Sequence, residues 1–289
     1  MRLLVFLAVW KRPEITEICF MGLNRLRKNS RLPIKAFAVI SEESMIPLCR
    51  KYKIQYTFYK NDPLGEKKNH GLNEAMKLEW DYLIEIGSDD LIKDELIEKY
   101  ADYFGEYEMF GTKDSVIIDS ASGKCRRLQS DTPYGLGRCI SRGTIEKYCY
   151  GVYVRAKEGI VSIGRTVAKG NIGFFKVEQA EELAKLGRIE ILSSPRYKLW
   201  RDDINRGLDN SSNYFLLTLG VGYKTVATEK PLTMDIKGPD NIWPFSDSIG
   251  TVYQLDKALE GLSQEEQSAI FALWKRKRIN SIEYANALQ

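Results

Sequence analysis

Apolar residues run unbroken from Leu3 to Trp10 (LLVFLAVW), the mark of a strand covered on both faces. Behind Pro13 the period changes: Ile15, Ile18, Cys19, Leu23 and Leu26 recur at helical spacing, with the proline near the start as helices tolerate. The two patterns then alternate. IKAFAVIS (34–41) reads as a strand, EESMIPLCRKY (42–52) as a short helix and IQYTFYK (54–60) as a strand. KKNHGLNEAMKLEW (67–80) follows as a helix and DYLIEIG (81–87) as a fourth strand. A β-α-β-α-β-α-β order closes, through right-handed crossovers, into a mostly parallel sheet with helices on both faces. The expected class is therefore α/β of Rossmann type, where ligands sit beyond the carboxyl ends of the strands.

From about 110 to 200 the pattern is less regular, with short apolar pieces such as DSVIID (114–119) and basic clusters at Arg126-Arg127 and Arg138–Arg142. Helical spacing returns in 176–187, closed by Gly187, and in 210–220, closed by Gly220. The end of the chain, from Ser263, reads as an amphipathic helical tail. No internal repeat or low-complexity linker interrupts it. The expected organisation is one domain over 1–240, with a nucleotide-binding half (1–109) and an acceptor half (110–240), and a C-terminal helical extension over 241–289.

The 289 residues are 44% hydrophobic, enough for one large core, and the net charge of +4 favours anionic small molecules or a polyanion without requiring either. Five cysteines without a CxxC pair suit reduced thiols in a cytoplasm better than a disulfide framework or a zinc knuckle. The opening apolar run spans eight residues and meets KRPE at once, so it reads as a strand and not as a signal peptide. Nothing approaches the roughly twenty apolar residues of a membrane span, so a soluble, cytoplasmic protein is expected, with peripheral membrane contact left open.

Several chemistries are excluded. His70 is the only histidine, there is no GxSxG elbow, KRPE stands where a GxGxxG turn would be, and no GxxxxGK[ST] loop occurs. What stands out is the end of the fourth strand, Gly87-Ser88-Asp89-Asp90. Adjacent carboxylates repel unless something positive lies between them. They could cap the helix LIKDELIEKYADYF, or act as hard oxygen ligands holding Mg²⁺ or Mn²⁺ against a diphosphate.

The company they keep resembles the GT-A glycosyltransferases of the large family-two group. Lys68, Asn69, Gly71 and Ala75 match the run before that group's acidic DxD motif, and Ser88-Asp89-Asp90 match the motif itself. Val9 and Lys11-Arg12-Pro13-Glu14 look like its opening nucleotide loop, and Ser41-Glu42-Glu43 fall where such enzymes contact base or ribose. Arg138 and Arg142 resemble its acceptor-side segment, and Leu208-Asp209 its acidic pair containing the catalytic base. The resemblance spans about 1–240 and implies a nucleotide-sugar-dependent, inverting transferase. Val9, Lys11, Arg12, Ser41, Glu43, Lys68, Asn69, Ser88 and Asp89 would bind the donor, and Asp209 would be the base.

Two positions depart from the pattern. Gly87 replaces the first Asp of the motif, and Met234-Asp235-Ile236-Lys237 stands where the family places a histidine ligand. The implied metal ligands are Asp89, Asp90 and Asp235, with Lys237 steadying the diphosphate. Blander readings stand beside these: Asp209 as a helix cap, Arg138 and Arg142 as surface charges, and Trp200, Tyr214, Trp243 and Phe245 as core, although one of these aromatics could stack on a sugar. Lys67 and Lys68 at a helix start imply an anion nearby, since cations are disfavoured there. The arginines of the middle segment and Lys275–Arg278 of the tail suggest an anionic acceptor: a glycan that is lipid-linked or phosphorylated, or a nucleic acid. Alternatives to sugar transfer are nucleotidyl transfer, or a non-catalytic carbohydrate or polyanion binder.

Overall fold

The computed structural model describes residues 1–133, 135–162, 165–205, 208–238 and 245–287, without the side chains of Arg165, Asp209, Asn210 and 276–287. The first half alternates as its sequence pattern predicts: β1 (Leu3–Val9), α1 (Pro13–Asn29), β2 (Ile34–Ile40), a 3-10 turn leading into α2 (Ile46–Lys51), β3 (Gln55–Phe58), α3 (Leu64–Ala75) and β4 (Tyr82–Gly87). β1 is unbrokenly apolar because both its faces are covered. Val5 and Leu7 pack with Phe20 and Leu23 of α1, while Leu4 and Phe6 pack with Leu72 of α3 and with Trp200.

After β4 the chain forms β5 (Asp90–Ile92), α4 (Asp94–Ala101), β6 (Met109–Thr112), β7 (Asp114–Asp119), β8 (Cys125–Gln129), β9 (Arg138–Ser141) and α5 (Arg142–Cys149). A small β-rich appendage follows: β10 (Tyr150–Ala156), β11 (Ile160–Ser162), β12 (Arg165–Val167), β13 (Ile172–Phe175), α6 (Val177–Lys185), β14 (Ile189–Ile191) and β15 (Arg196–Tyr197). The remainder is α7 (Leu208–Thr218), β16 (Tyr223–Val226), β17 (Thr233–Lys237), β18 (Thr251–Tyr253), α8 (Leu255–Leu259) and α9 (Gln264–Ala287).

The central sheet runs β16-β6-β9-β4-β1-β2-β3. Its pairings are parallel except where β9 runs antiparallel to β4 and β6, so the protein is α/β with a mostly parallel sheet. A second sheet, β18-β8-β7-β17-β5, lies at the carboxyl end of β4. In it β17 pairs antiparallel with β5, and the register sets Asp235 directly opposite Asp90.

Several boundaries differ from the sequence reading, two of them at the site. Asp89 and Asp90 do not cap the next helix: Asp90 opens β5, and α4 starts at Asp94 behind Lys93. α3 begins at Leu64, because Asn205 Oδ1, far along the chain, accepts the Leu64 N–H at 2.6 Å. The segment beyond 240 adds β18 to the second sheet and packs α8 and α9 against Ile15 and Ile18 of α1. Among the described residues no helix is long and apolar enough to cross a membrane.

Candidate functional site

Beyond the end of β4 the chain turns back on itself. The Gly87 N–H donates to the Asp90 carboxylate. A Cβ at position 87 would lie 2.7 Å from Asp89 Oδ1 and 2.9 Å from Asp90 Oδ2. The glycine that replaces the first acid of the expected motif is thus the residue that lets the next two carboxylates fold over it. The Asp90–Asp235 pairing brings in the third. One oxygen from each of Asp89, Asp90 and Asp235 lies within 4.8 Å of the others.

Two cations answer these three acids. Arg12 donates to Asp89 Oδ2 at 2.9 Å and to Ser88 Oγ at 3.2 Å, and Lys237 is ion-paired with Asp235. The second Asp235 oxygen, Oδ1, is buried with no hydrogen-bond partner. Burial and the neighbouring carboxylates push Asp90 well above the usual carboxylate range and Asp235 up to about 7. Oxygen donors, an unsatisfied buried oxygen and suppressed ionisation fit a divalent cation such as Mg²⁺ or Mn²⁺.

The loop after β1 carries backbone strain. Lys11 and Arg12 both adopt left-handed φ, 53° and 55°, a region that non-glycine residues rarely enter and that clusters at functional sites. The Lys11 N–H donates to Glu42 Oε2 at 3.0 Å. Below the loop, buried Lys67 donates to the Val9 carbonyl at 2.6 Å and to Asn61 Oδ1 at 2.9 Å, and burial pushes its ammonium down to about 7. Arg12 is therefore held over the carboxylates by a braced, strained turn.

The anion implied beside Lys68 belongs to the protein. Glu85, buried in β4, is ion-paired with both Lys68 and Arg138, and Arg138 also donates to Asn213 Oδ1 of α7 at 2.6 Å. The two cations hold the Glu85 carboxyl below its ordinary range despite burial. Asn69, expected at the donor, has both ends of its amide engaged inside the fold. Its oxygen accepts from the Leu199 and Trp200 N–H groups, and its nitrogen donates to the Trp200 carbonyl and to Asp202. It clamps the 199–202 segment onto α3.

A cleft of about 310 Å³ opens over this cluster. Of the residues singled out in the sequence, Arg12, Lys68, Ser88, Asp89, Asp90, Asp235 and Lys237 line it; Val9, Lys11, Ser41, Glu43, Asn69, Arg138 and Arg142 do not. Glu42, not Glu43, braces the first loop; Glu43 is exposed. Ser41 is half-buried behind it. The arginines expected on the acceptor side are engaged within the protein. Arg138 is fully buried, and Arg142 binds the Leu78 and Met76 carbonyls and Glu146. Arg126 binds the carbonyls of Ile249 and Gly250, and Arg127 pairs with Asp114. The side chains of Asp209 and Arg276–Arg278, and all of Trp243, lie outside the described residues. Trp200 is buried, whereas Tyr214 is 56% exposed. Glu85 went unmarked in the sequence reading; its signal was a lone acid inside the apolar strand YLIEIG.

No family model matches the chain, and no curated protein matches it. Among solved structures it is similar to a mannosyltransferase from Pyrobaculum calidifontis in complex with GDP-Man and Mn²⁺, at 11% identity and a TM-score of 0.41, over 82% of this chain and 56% of that one. It is similar to residues 1–349 of TarS from S. aureus at 10% identity and 0.40, over 97% of this chain and 72% of that one. A third similar structure is a CMP:2-keto-3-deoxy-manno-octonic acid synthetase complexed with CTP, at 10% identity and 0.36, over 79% and 90%. The chain thus spans little more than half of the mannosyltransferase. Likenesses this shallow carry no functional weight.

Proposed function

We propose that this chain transfers a sugar from a nucleotide-diphosphate sugar to an acceptor hydroxyl, with inversion, and that Asp89, Asp90 and Asp235 hold a divalent cation, Mn²⁺ or Mg²⁺. The observation that carries the proposal is the convergence of these carboxylates at the carboxyl end of the central strands, with one buried Asp235 oxygen unsatisfied. Charge supports the need for a metal. Three carboxylates face two cations, so the fully ionised cluster is net negative and repels a diphosphate. A divalent cation reverses that sign, and when bound it supplies Lewis-acid neutralisation of the leaving diphosphate.

The chain's own groups do the rest. Arg12 and Lys237, freed in part from their carboxylates, bind the diphosphate oxygens. The braced turn at Lys11-Arg12 fixes where the first of these charges sits. Lys68, oriented by Glu85, adds positive charge to the lining of the same cleft. Asp209, at the start of α7, stays the candidate base that takes the acceptor's proton, on the resemblance alone.

Incubation with nucleotide sugars and Mn²⁺ tests this reading. Release of a nucleoside diphosphate supports it. Pyrophosphate from a nucleoside triphosphate would indicate nucleotidyl transfer, and neither product a binding protein.

A further inference from the structure

A second cleft, about 650 Å³, lies between the appendage and α7. Its walls include Phe174, Lys198, Trp200, Arg201, Ser211 and Tyr214. We infer that this cleft binds the acceptor, and that the acceptor is a saccharide bearing an acidic substituent, a carboxylate or a phosphate. The inference rests on the proposed sugar transfer for the word acceptor, but the ligand chemistry is read from the cleft itself.

Three features carry it. The first is the mixture of aromatic faces and small polar groups. Tyr214 is 56% exposed on α7, with Phe174 and Phe215 half-buried beside it, while Asn171, Thr166 and Ser211 offer hydrogen-bonding groups on the same walls. A sugar ring presents an apolar C–H face and an equatorial rim of hydroxyls, so it needs both kinds of partner in one cleft. The second is charge. Lys198 and Arg201 line the cleft, and among the described residues no Asp or Glu does. Lys198 lies 4.6 Å from the Tyr153 ring centroid and pairs with Asp202 at 3.2 Å, and Arg201 pairs with Asp203 at 2.6 Å. Neither counter-ion lines the cleft, so both charged side chains on its walls are cations, each paired with a carboxylate outside it, whereas the neighbouring cleft carries Glu85, Asp89, Asp90 and Asp235.

The third feature is adjacency. Trp200 forms part of the larger cleft, and the Lys68 ammonium, on the wall of the acidic cleft, lies 4.5 Å from the Trp200 ring centroid. α7 spans both: Ser211, Tyr214 and Phe215 face the larger cleft, while Asn213 reaches Arg138 and through it Glu85. A ligand in the larger cleft is therefore separated from the acidic cleft by the Trp200–Lys68 contact. This moves the anion-binding function away from Arg126, Arg127, Arg138 and Arg142, all engaged within the fold.

The test is saturation-transfer NMR on the full chain without donor or metal, using glucuronate, glucose 6-phosphate and glucose as observed probes and inorganic phosphate as a competitor. The inference expects ring-proton signals from at least one acidic sugar, with glucose at least tenfold weaker, the scale of a charge-assisted contact. Comparing glucuronate with glucose 6-phosphate tells carboxylate from phosphate. Tyr214→Ala should abolish the signals, Arg201→Gln should bring the acidic sugars down to the affinity of glucose, and Asp89→Asn should leave them unchanged. Equal binding of glucose overturns the acidic substituent. Displacement of glucose 6-phosphate by an equal concentration of inorganic phosphate overturns the sugar. Signals that need Asp89 but not Tyr214 overturn the location, and silence from all probes overturns the site. Since no donor is present, these outcomes are independent of whether sugar transfer occurs.

Discussion

A carboxylic acid buried beside two others must keep a proton or find a cation, and Asp235 shows both pressures. Its pKa lies near 7 against an ordinary 3.8, so the folded state holds a proton that the unfolded chain would release. That contribution to stability is fullest below about pH 4 and is lost as the pH rises through about 7. A divalent cation competes with the same proton, so its binding should strengthen over the same window. We therefore expect the thermal stabilisation by Mn²⁺ to grow from pH 5.5 to pH 8, and Asp235→Asn to melt higher than wild type at pH 8 without metal while losing the Mn²⁺ response. A Mn²⁺ gain that is flat with pH would contradict this account of the cluster. Glu85 gives a second residue-scale prediction. Glu85→Gln removes the carboxylate shared by Lys68 and Arg138, leaving buried charge uncompensated, and should cost about 3–5 kcal/mol in chemical denaturation. A near-neutral result would mean that those cations are held chiefly by other contacts. Asp89 was legible in the sequence because it ends an apolar strand. The convergence of Asp235 with it was implied by the family resemblance alone and not by the local pattern, because it depends on the β17–β5 register, a pairing across more than a hundred residues.

Among the elements, α3 shows how a helix is placed by what it touches. A Cβ on Gly71 would come within 2.0 Å of Val39 Cγ2 and 3.1 Å of the Phe6 ring, so the glycine sets how closely α3 approaches the sheet. Gly71→Ala forces α3 away and should destabilise by about 1–3 kcal/mol, as overpacking does; an unchanged denaturation midpoint would show that the helix has room to move. The start of α3 was misread from sequence because its cap comes from Asn205 rather than from a neighbouring residue. β1, β2 and β4 were legible because two-sided burial leaves nearly continuous apolar runs, while β3, at the sheet edge and mostly exposed, showed through its aromatic and β-branched residues. The appendage strands were not: several span two to four residues and expose side chains such as Val161, Ile172 and Ile191, so neither run length nor alternation marks them.

Across the whole molecule the last helix secures the first. Arg25 of α1, 8% exposed, donates to fully buried Glu266 of α9 at 2.7 Å and to the Ile92 carbonyl at 2.7 Å, just beyond the acidic turn. Glu266→Ala leaves Arg25 with Asp94 as its remaining ion-pair partner and removes its charge-assisted bonds to α9, and should cost about 1.5–3 kcal/mol, read as a lower Tm. An unchanged Tm would make the tail an independent extension instead. This architecture joins the strained turn after β1, the acidic end of β4 and β17 into one cleft, and the central claim is that this cleft uses a metal to transfer sugar. The most direct measurement is nucleoside diphosphate release by the purified full-length chain from a panel of nucleotide sugars, with Mn²⁺ and with chelator, for wild type and Asp89→Ala. The account predicts release from at least one donor, abolished by chelator and by Asp89→Ala while the unfolding transition of the variant stays cooperative. Release that survives both chelation and the substitution, or pyrophosphate from a nucleoside triphosphate in its place, would contradict it.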